Sequence, residues 1–323
     1  MKHNRFTTYT WAVLGYNLLV ILWGAYVRAT GSGAGCGAHW PLCDGQVIPR
    51  SPRAELLVEF THRLSSGLSL LLVVGLLIWS LRAYPRGHIV RRGAQLAMLF
   101  IITEALVGAG LVLFQLVADN DSAARAIVIA IHLLNTLLLL AALTLTAWWA
   151  SGGAPLQIRG QGWVGWALGA GLLGVMLLAA AGTITALGDT LFPAGSLAEG
   201  LREDFSPAAH FLVQMRVIHP IAAVLIGVYI TGLAWAILRH GYSRAAGLLA
   251  RGLMGLFLVQ LLLGALNVAL LAPVWMQLVH LLAADGLWIL LLLLAASVLG
   301  QPAPVAAIDR ATSGEPGGLG VRG

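Results

Sequence analysis

The sequence predicts an all-α integral membrane protein of eight transmembrane helices, arranged as two pseudo-symmetric four-helix bundles related by an axis along the membrane normal. Three observations carry this reading. Of the 323 residues, 59% are hydrophobic and only 10% charged, with a mean hydropathy of +0.86. Soluble globular chains carry roughly 25% charged residues, so this chain has too few to cover a water-facing surface. Eight apolar stretches reach the ~20 residues that a helix needs to cross a bilayer. The second group of four also repeats the polar landmarks of the first.

The spans are expected near 9–27, 57–81, 94–114, 124–149, 163–183, 209–238, 250–271 and 274–299. The first lacks a small-residue cleavage site and reads as a span, not a signal peptide. The second opens on "EFTHRLSSG" (59–67), which packs Glu59, His62 and Arg63 into the mouth of an apolar run. Span three carries Glu104, span four "IHLLNT" (131–136), span six "RVIHP" (216–220), and span eight His280 and Asp285. Residues 1–150 and 151–300 are the expected halves, and 301–323, rich in Pro, Gly and Ala, reads as a disordered cytoplasmic tail.

Charge gives the orientation. Lys2, Arg5, Arg82, Arg86, Arg91, Arg92, Arg159, Arg239, Arg244, Arg251, Arg310 and Arg322 fall on one side, with Asp309 and Glu315 as its acids. The positive-inside rule makes that side, and both termini, cytoplasmic. The basic balance is thus a topology signal, and no nucleic-acid partner is expected. The loops near 28–56 and 184–208 then lie outside, and the only cysteines, Cys36 and Cys43, sit in the first. An oxidising compartment favours a disulfide staple there; a redox-active or metal-binding pair is the alternative.

The repeat aligns His62 with His219, Glu104 with Gln260, Gly108 with Gly264, and His132 with His280. An even number of spans in each half gives both halves the same orientation. Spans two, four, six and eight run inward, each with its histidine within about ten residues of the outer end. At 1.5 Å per residue all four lie in the outer half of the bilayer. Neutral imidazoles bind zinc, copper and haem iron. Two on facing helices of a bundle can be the axial ligands of one haem. Arg63 and Arg216, near the outer ends, could meet haem propionates. Glu59-x-x-His62 resembles half of a di-iron motif, but the repeat places Arg216 where the second glutamate would stand. His39, His210, His3, His88 and His240 lie in or near loops and read as surface residues. Glu104 and Asp285, deeper in the membrane, read either as proton-relay groups or as helix-to-helix hydrogen bonds.

With those residues in view, the chain resembles the heme A synthase family (CtaA type) over nearly its whole length. The stretches are "GAYVRATGSGAGCGAHWPLCDG" (24–45), "EFTHRLSSG", "IHLLNT", "ALGDTLFP" (186–193), "RVIHP" and "QLVHLLAAD" (277–285). The resemblance implies an oxidoreductase that converts a methyl group of haem O to the formyl group of haem A. His62 and His132 would hold the substrate haem O, and His219 and His280 a haem b cofactor. Glu59 matches the family's acidic residue beside the substrate. Some members carry a second cysteine pair between spans five and six; residues 184–208 have none. His39 stands where an acidic residue is common. The implied setting is a bacterial cytoplasmic membrane, with membrane lipid, haem O synthase and an electron acceptor as partners and a possible homo-oligomer. The rival readings are a di-haem, quinol-linked electron carrier and, further off, a transporter.

Overall fold

The computed structural model describes residues 5–50, 53–157 and 159–300. The tail 301–323, with Arg310 and Arg322, and the N-terminal Lys2 and His3 lie outside the described residues. Within them the chain is helical: α1 (Arg5–Ala29), α2 (Ala54–Ala83), α3 (Ile89–Leu113), α4 (Ala123–Ala150), α5 (Gly162–Leu191), α6 (Leu197–Asp204), α7 (Phe211–Gln214), α8 (Ile218–His240), α9 (Arg244–Ala269) and α10 (Val274–Leu299). Eight segments are long and apolar enough to cross a membrane, with α7 and α8 forming one segment, Phe211–His240. The protein is a multi-pass all-α membrane protein.

Helix starts follow the capping rules. Ser122, Ser196 and Ser243 each accept a hydrogen bond from the backbone N–H three residues on, which satisfies a donor that the helix leaves free. Gly241 ends α8 in the left-handed region, φ +67°, where glycine carries no Cβ penalty. The sixth span is interrupted by a 3₁₀ turn, Met215–Val217. Pro220 is the cause: it has no N–H to give the carbonyl of Arg216, and its ring crowds that carbonyl.

Two expectations change. Helix α5 runs to Leu191, so the outer connection starts later than 184, and much of what remains is α6. The Oγ of Ser196 accepts from Glu199 N–H, and Glu199 Oε2 accepts from Gly195 N–H at 3.1 Å. These reciprocal bonds fix a helix start that hydropathy cannot see.

Helix α1 packs on α2 and α4, α2 on α3, and α3 on α4; α5 packs on α8 and α10, α8 on α9, and α9 on α10. Helices α4 and α10 are the most buried and meet each other. There the indole of Trp288 donates to the Leu137 carbonyl at 2.8 Å. The apolar core runs through both groups, from Phe6, Val13 and Leu143 to Leu168, Ile230 and Leu291.

Candidate functional site

Each of the four membrane histidines lies two to three turns inside its helix or span, on α2, α4, α8 and α10. Each ring also rests on a glycine of the helix before it. A Cβ on Gly24 of α1 would come within 2.9 Å of His62 Cε1. On Gly108 it would meet His132 at 3.7 Å, on Gly182 His219 at 2.7 Å, and on Gly264 His280 at 3.2 Å. At 24, 182 and 264 the missing Cβ thus gives room to an imidazole, whereas at 108 a Cβ would make ordinary contact.

The rings of His219 and His280 stand edge to face with centroids 6.4 Å apart. A metal–imidazole bond is about 2 Å, so two imidazoles on opposite sides of one iron have centroids roughly 6 Å apart. Nδ1 of His219 lies 3.3 Å from the Leu178 carbonyl. Donation there leaves the Nε2 lone pair free, the usual way a protein fixes a ligand's tautomer. Nε2 of His280 is 3.2 Å from the Gln260 amide nitrogen, so ligation there displaces that amide. The Nδ1 atoms of His62, His132 and His280 are buried without a hydrogen-bond partner. Unsatisfied buried polar atoms are uncommon. Among the described residues no group of three or more His, Cys, Asp or Glu could hold a metal ion.

Glu59 is buried at 3% exposure. Its Oε2 accepts from the N–H of Cys36 at 2.8 Å, and its Oε1 from Nε of Arg63 at 3.1 Å. Arg63 Nη1 donates onward to the carbonyls of His39 and Leu42, each at 2.6 Å. The opening stretch of α2 therefore pins the outer loop from below. Cys36 and Cys43 form a disulfide, Cα–Cα 4.4 Å. Both sulfurs are buried against Leu56 and Phe60.

Arg216 holds the second outer connection in the same manner. Its Nη2 donates to the carbonyls of Gly188, at 2.8 Å, and Phe192. Its Nε is 3.0 Å from Asp189, and its Nη1 3.5 Å from Asp204. Burial pushes the Asp204 carboxyl above the usual range, and Arg216 opposes that shift. Both arginines are thus engaged by protein groups in this structure.

Sequence reasoning passed over Arg28. Its guanidinium donates to the Ala186 carbonyl at 2.7 Å, to Thr190 Oγ1 at 2.8 Å and to Gln277 Oε1 at 2.8 Å, joining α1 to α5 and α10. It also passed over Asn135, whose amide donates to Glu104 at 2.5 Å. Polar side chains inside apolar spans are expensive, and that was the available signal for both. Asp285 is 1% exposed, and its Oδ2 has no partner.

Residues 7–292 match the family described as cytochrome oxidase assembly protein, COX15-CtaA. The chain belongs to this family. Two proteins named protoheme IX farnesyltransferase, from two strains of Thermus thermophilus, are 55% identical over 300 residues, 93% of this chain and 49% of each of theirs. A protein of Halalkalibacterium halodurans named heme A synthase is 46% identical over 97 residues, 30% of this chain and 33% of that one. This member of the cytochrome oxidase assembly family therefore spans about half the length of the Thermus relatives and a third of the other.

Proposed function

We propose that the chain is an oxidoreductase of haem A formation, which oxidises one methyl group of haem O to a formyl group. Haem O is the substrate of residues 1–150, between His62 and His132. A haem b cofactor sits in residues 151–300, between His219 and His280, and supplies one-electron redox chemistry when bound. The four glycine-backed imidazoles support both pairs, and the heme A synthase name of the Halalkalibacterium relative supports the substrate.

One observation favours the enzyme over a di-haem electron carrier: Glu59, a buried carboxylate one turn from His62, is fixed by Cys36 N–H and Arg63. A carrier needs no such group. Oxidation to an alcohol and then to a hydrated aldehyde each takes up one water and releases two protons and an electron pair, and the hydrate then loses water with no change of oxidation state. A carboxylate held beside the reacting carbon accepts a proton and steadies developing positive charge. Arg63 and Arg216 orient the outer connections over the two sites, and meeting the haem propionates is their second role. The electrons leave to an external acceptor.

The Thermus relatives are named for farnesyl transfer to protohaem, the kind of reaction that makes the haem O side chain. In this reading a haem O synthase supplies the substrate, the setting is a bacterial cytoplasmic membrane, and both termini are on the cytoplasmic side. Co-expression with a haem O source followed by pigment extraction tests the function. Haem A in the extract is expected, and haem O alone beside a folded, haem-loaded protein defeats the reading in favour of the carrier.

A further inference from the structure

Glu104 and Gln260 stand at matching places on α3 and α9, each beside the histidine of the following helix. Their surroundings differ in one chemical respect. Oε1 of Glu104 is 3.4 Å from Nδ1 of His132, off the line of a hydrogen bond, and that nitrogen has no other partner. The carboxylate is gripped from behind. Asn135 Nδ2 donates to its Oε2 and the Thr136 hydroxyl meets its Oε1, each at 2.5 Å. Asn135 cannot turn over, because its Oδ1 accepts from Thr103 at 2.6 Å and its NH₂ also donates to the Phe100 carbonyl at 2.9 Å. Gln260 offers an amide instead. Its Nε2 donates to the His280 carbonyl at 3.1 Å, and its Oε1 is buried without a partner.

We propose that Glu104 is a positioning residue, acting through Nδ1 of His132, that makes this histidine a stronger electron donor to bound iron than His280. The inference rests on the reading of the four histidines as haem ligands. A carboxylate on the far nitrogen of a ligating imidazole fixes the tautomer that points Nε2 at the metal and raises the ligand's basicity. A small rotation of the His132 ring brings Nδ1–H into line with Oε1, and the glycine at 108 leaves room for it, since a Cβ there would still lie 3.7 Å from the ring. Gln260, a neutral amide beside Nε2 of His280 and not its far nitrogen, can do neither. A stronger donor favours ferric over ferrous iron. The pair of the N-terminal half then holds the more oxidisable haem, as fits a site where haem is itself transformed, and the C-terminal pair holds the more easily reduced one. The asymmetry between the halves thus lies in one glutamate–glutamine difference.

Redox titration of the haem-loaded protein, followed optically, tests this. Glu104→Gln should raise the midpoint of the haem held by His62 and His132 by about 59 mV, a tenfold change in the ferric-to-ferrous ratio for one electron, and leave the other haem unmoved. Gln260→Glu, whose side chain meets Nε2 of His280 and not its far nitrogen, should not lower the midpoint of the haem at His219 and His280 in the same measure. Glu104→Asp, with its charge on a shorter arm, should move the first potential less than Glu104→Gln does. Parent-like midpoints in a haem-loaded Glu104→Gln protein overturn the proposal. If that variant does not fold, a parent-like midpoint in Glu104→Asp overturns it instead. A parent protein with no bis-histidine haem at all defeats the ligand reading, a separate failure.

Discussion

The imidazoles of His219 and His280 face each other edge to face at 6.4 Å, from two helices, α8 and α10, that meet α9 between them. Replacing either with alanine should abolish the low-spin bis-histidine absorption of the haem b proposed for this pair. Replacing His62 or His132 should leave that signal in place. Spectra of the four purified variants check the division of labour, and the same loss in all four contradicts it.

The glycine under His219 should be as sensitive as the ligand itself. A methyl group at 182 would sit 2.7 Å from Cε1 and 3.1 Å from Nδ1 of the ring, driving it off the Leu178 carbonyl. Gly182→Ala should weaken haem binding at this pair by roughly 10–100-fold, the range for losing a ligand's outer support. Gly169→Ala on the same helix has nothing within 4 Å of its new methyl. It should bind haem normally and fold no less stably, since alanine favours a helix by about 0.5–1 kcal/mol over glycine. Haem titration of the two variants separates crowding from helix propensity.

Glu59→Gln keeps the shape of the side chain and its bond from Cys36, but it cannot take a proton and leaves Arg63 without its counter-charge. A folded protein that binds haem and accumulates haem O or its alcohol is the expected result. Stability should fall by about 1–3 kcal/mol from the weakened charge-assisted bonds. Haem A formation at the parent rate would remove Glu59 from the chemistry.

The Cys36–Cys43 bond closes a short loop, and chain-entropy arguments give it about 2–3 kcal/mol. A double serine variant should lose stability of that order and keep partial turnover, because the Glu59 contact is made by the Cys36 backbone and not by its sulfur. Complete loss of turnover at normal haem content would point to a redox role for the pair.

The spans were legible because an apolar run of ~20 residues in a chain this poor in charge has few alternatives; residues 274–299 coincide with α10 to the residue. The four histidines were legible because an ionisable group in such a run is costly and these four repeat. What hydropathy could not give was partner choice. From sequence alone Arg63 and Arg216 pointed at propionates, while the fold engages them with Glu59, Asp189 and backbone carbonyls of the outer connections. Those carbonyls are freed at helix ends and turns, whose places depend on capping by residues such as Ser196 and on the break imposed by Pro220. The cross-chain reach of Arg28 was hidden for a similar reason, because its acceptors lie more than 150 positions away.

Arg28 ties α1 to α5 and α10 at one end of the molecule. Trp288 joins α10 to the Leu137 carbonyl of α4 in the middle. Carriers that work by alternating access rock one repeat against its twin around a central site. Here that movement would break bonds at two depths together, each worth about 0.5–1.5 kcal/mol, with no water in the bilayer core to replace them. The gap between the two histidine pairs is therefore held constant by the scaffold. An electron crossing a fixed distance suits such a frame, and a solute ferried through a moving one does not.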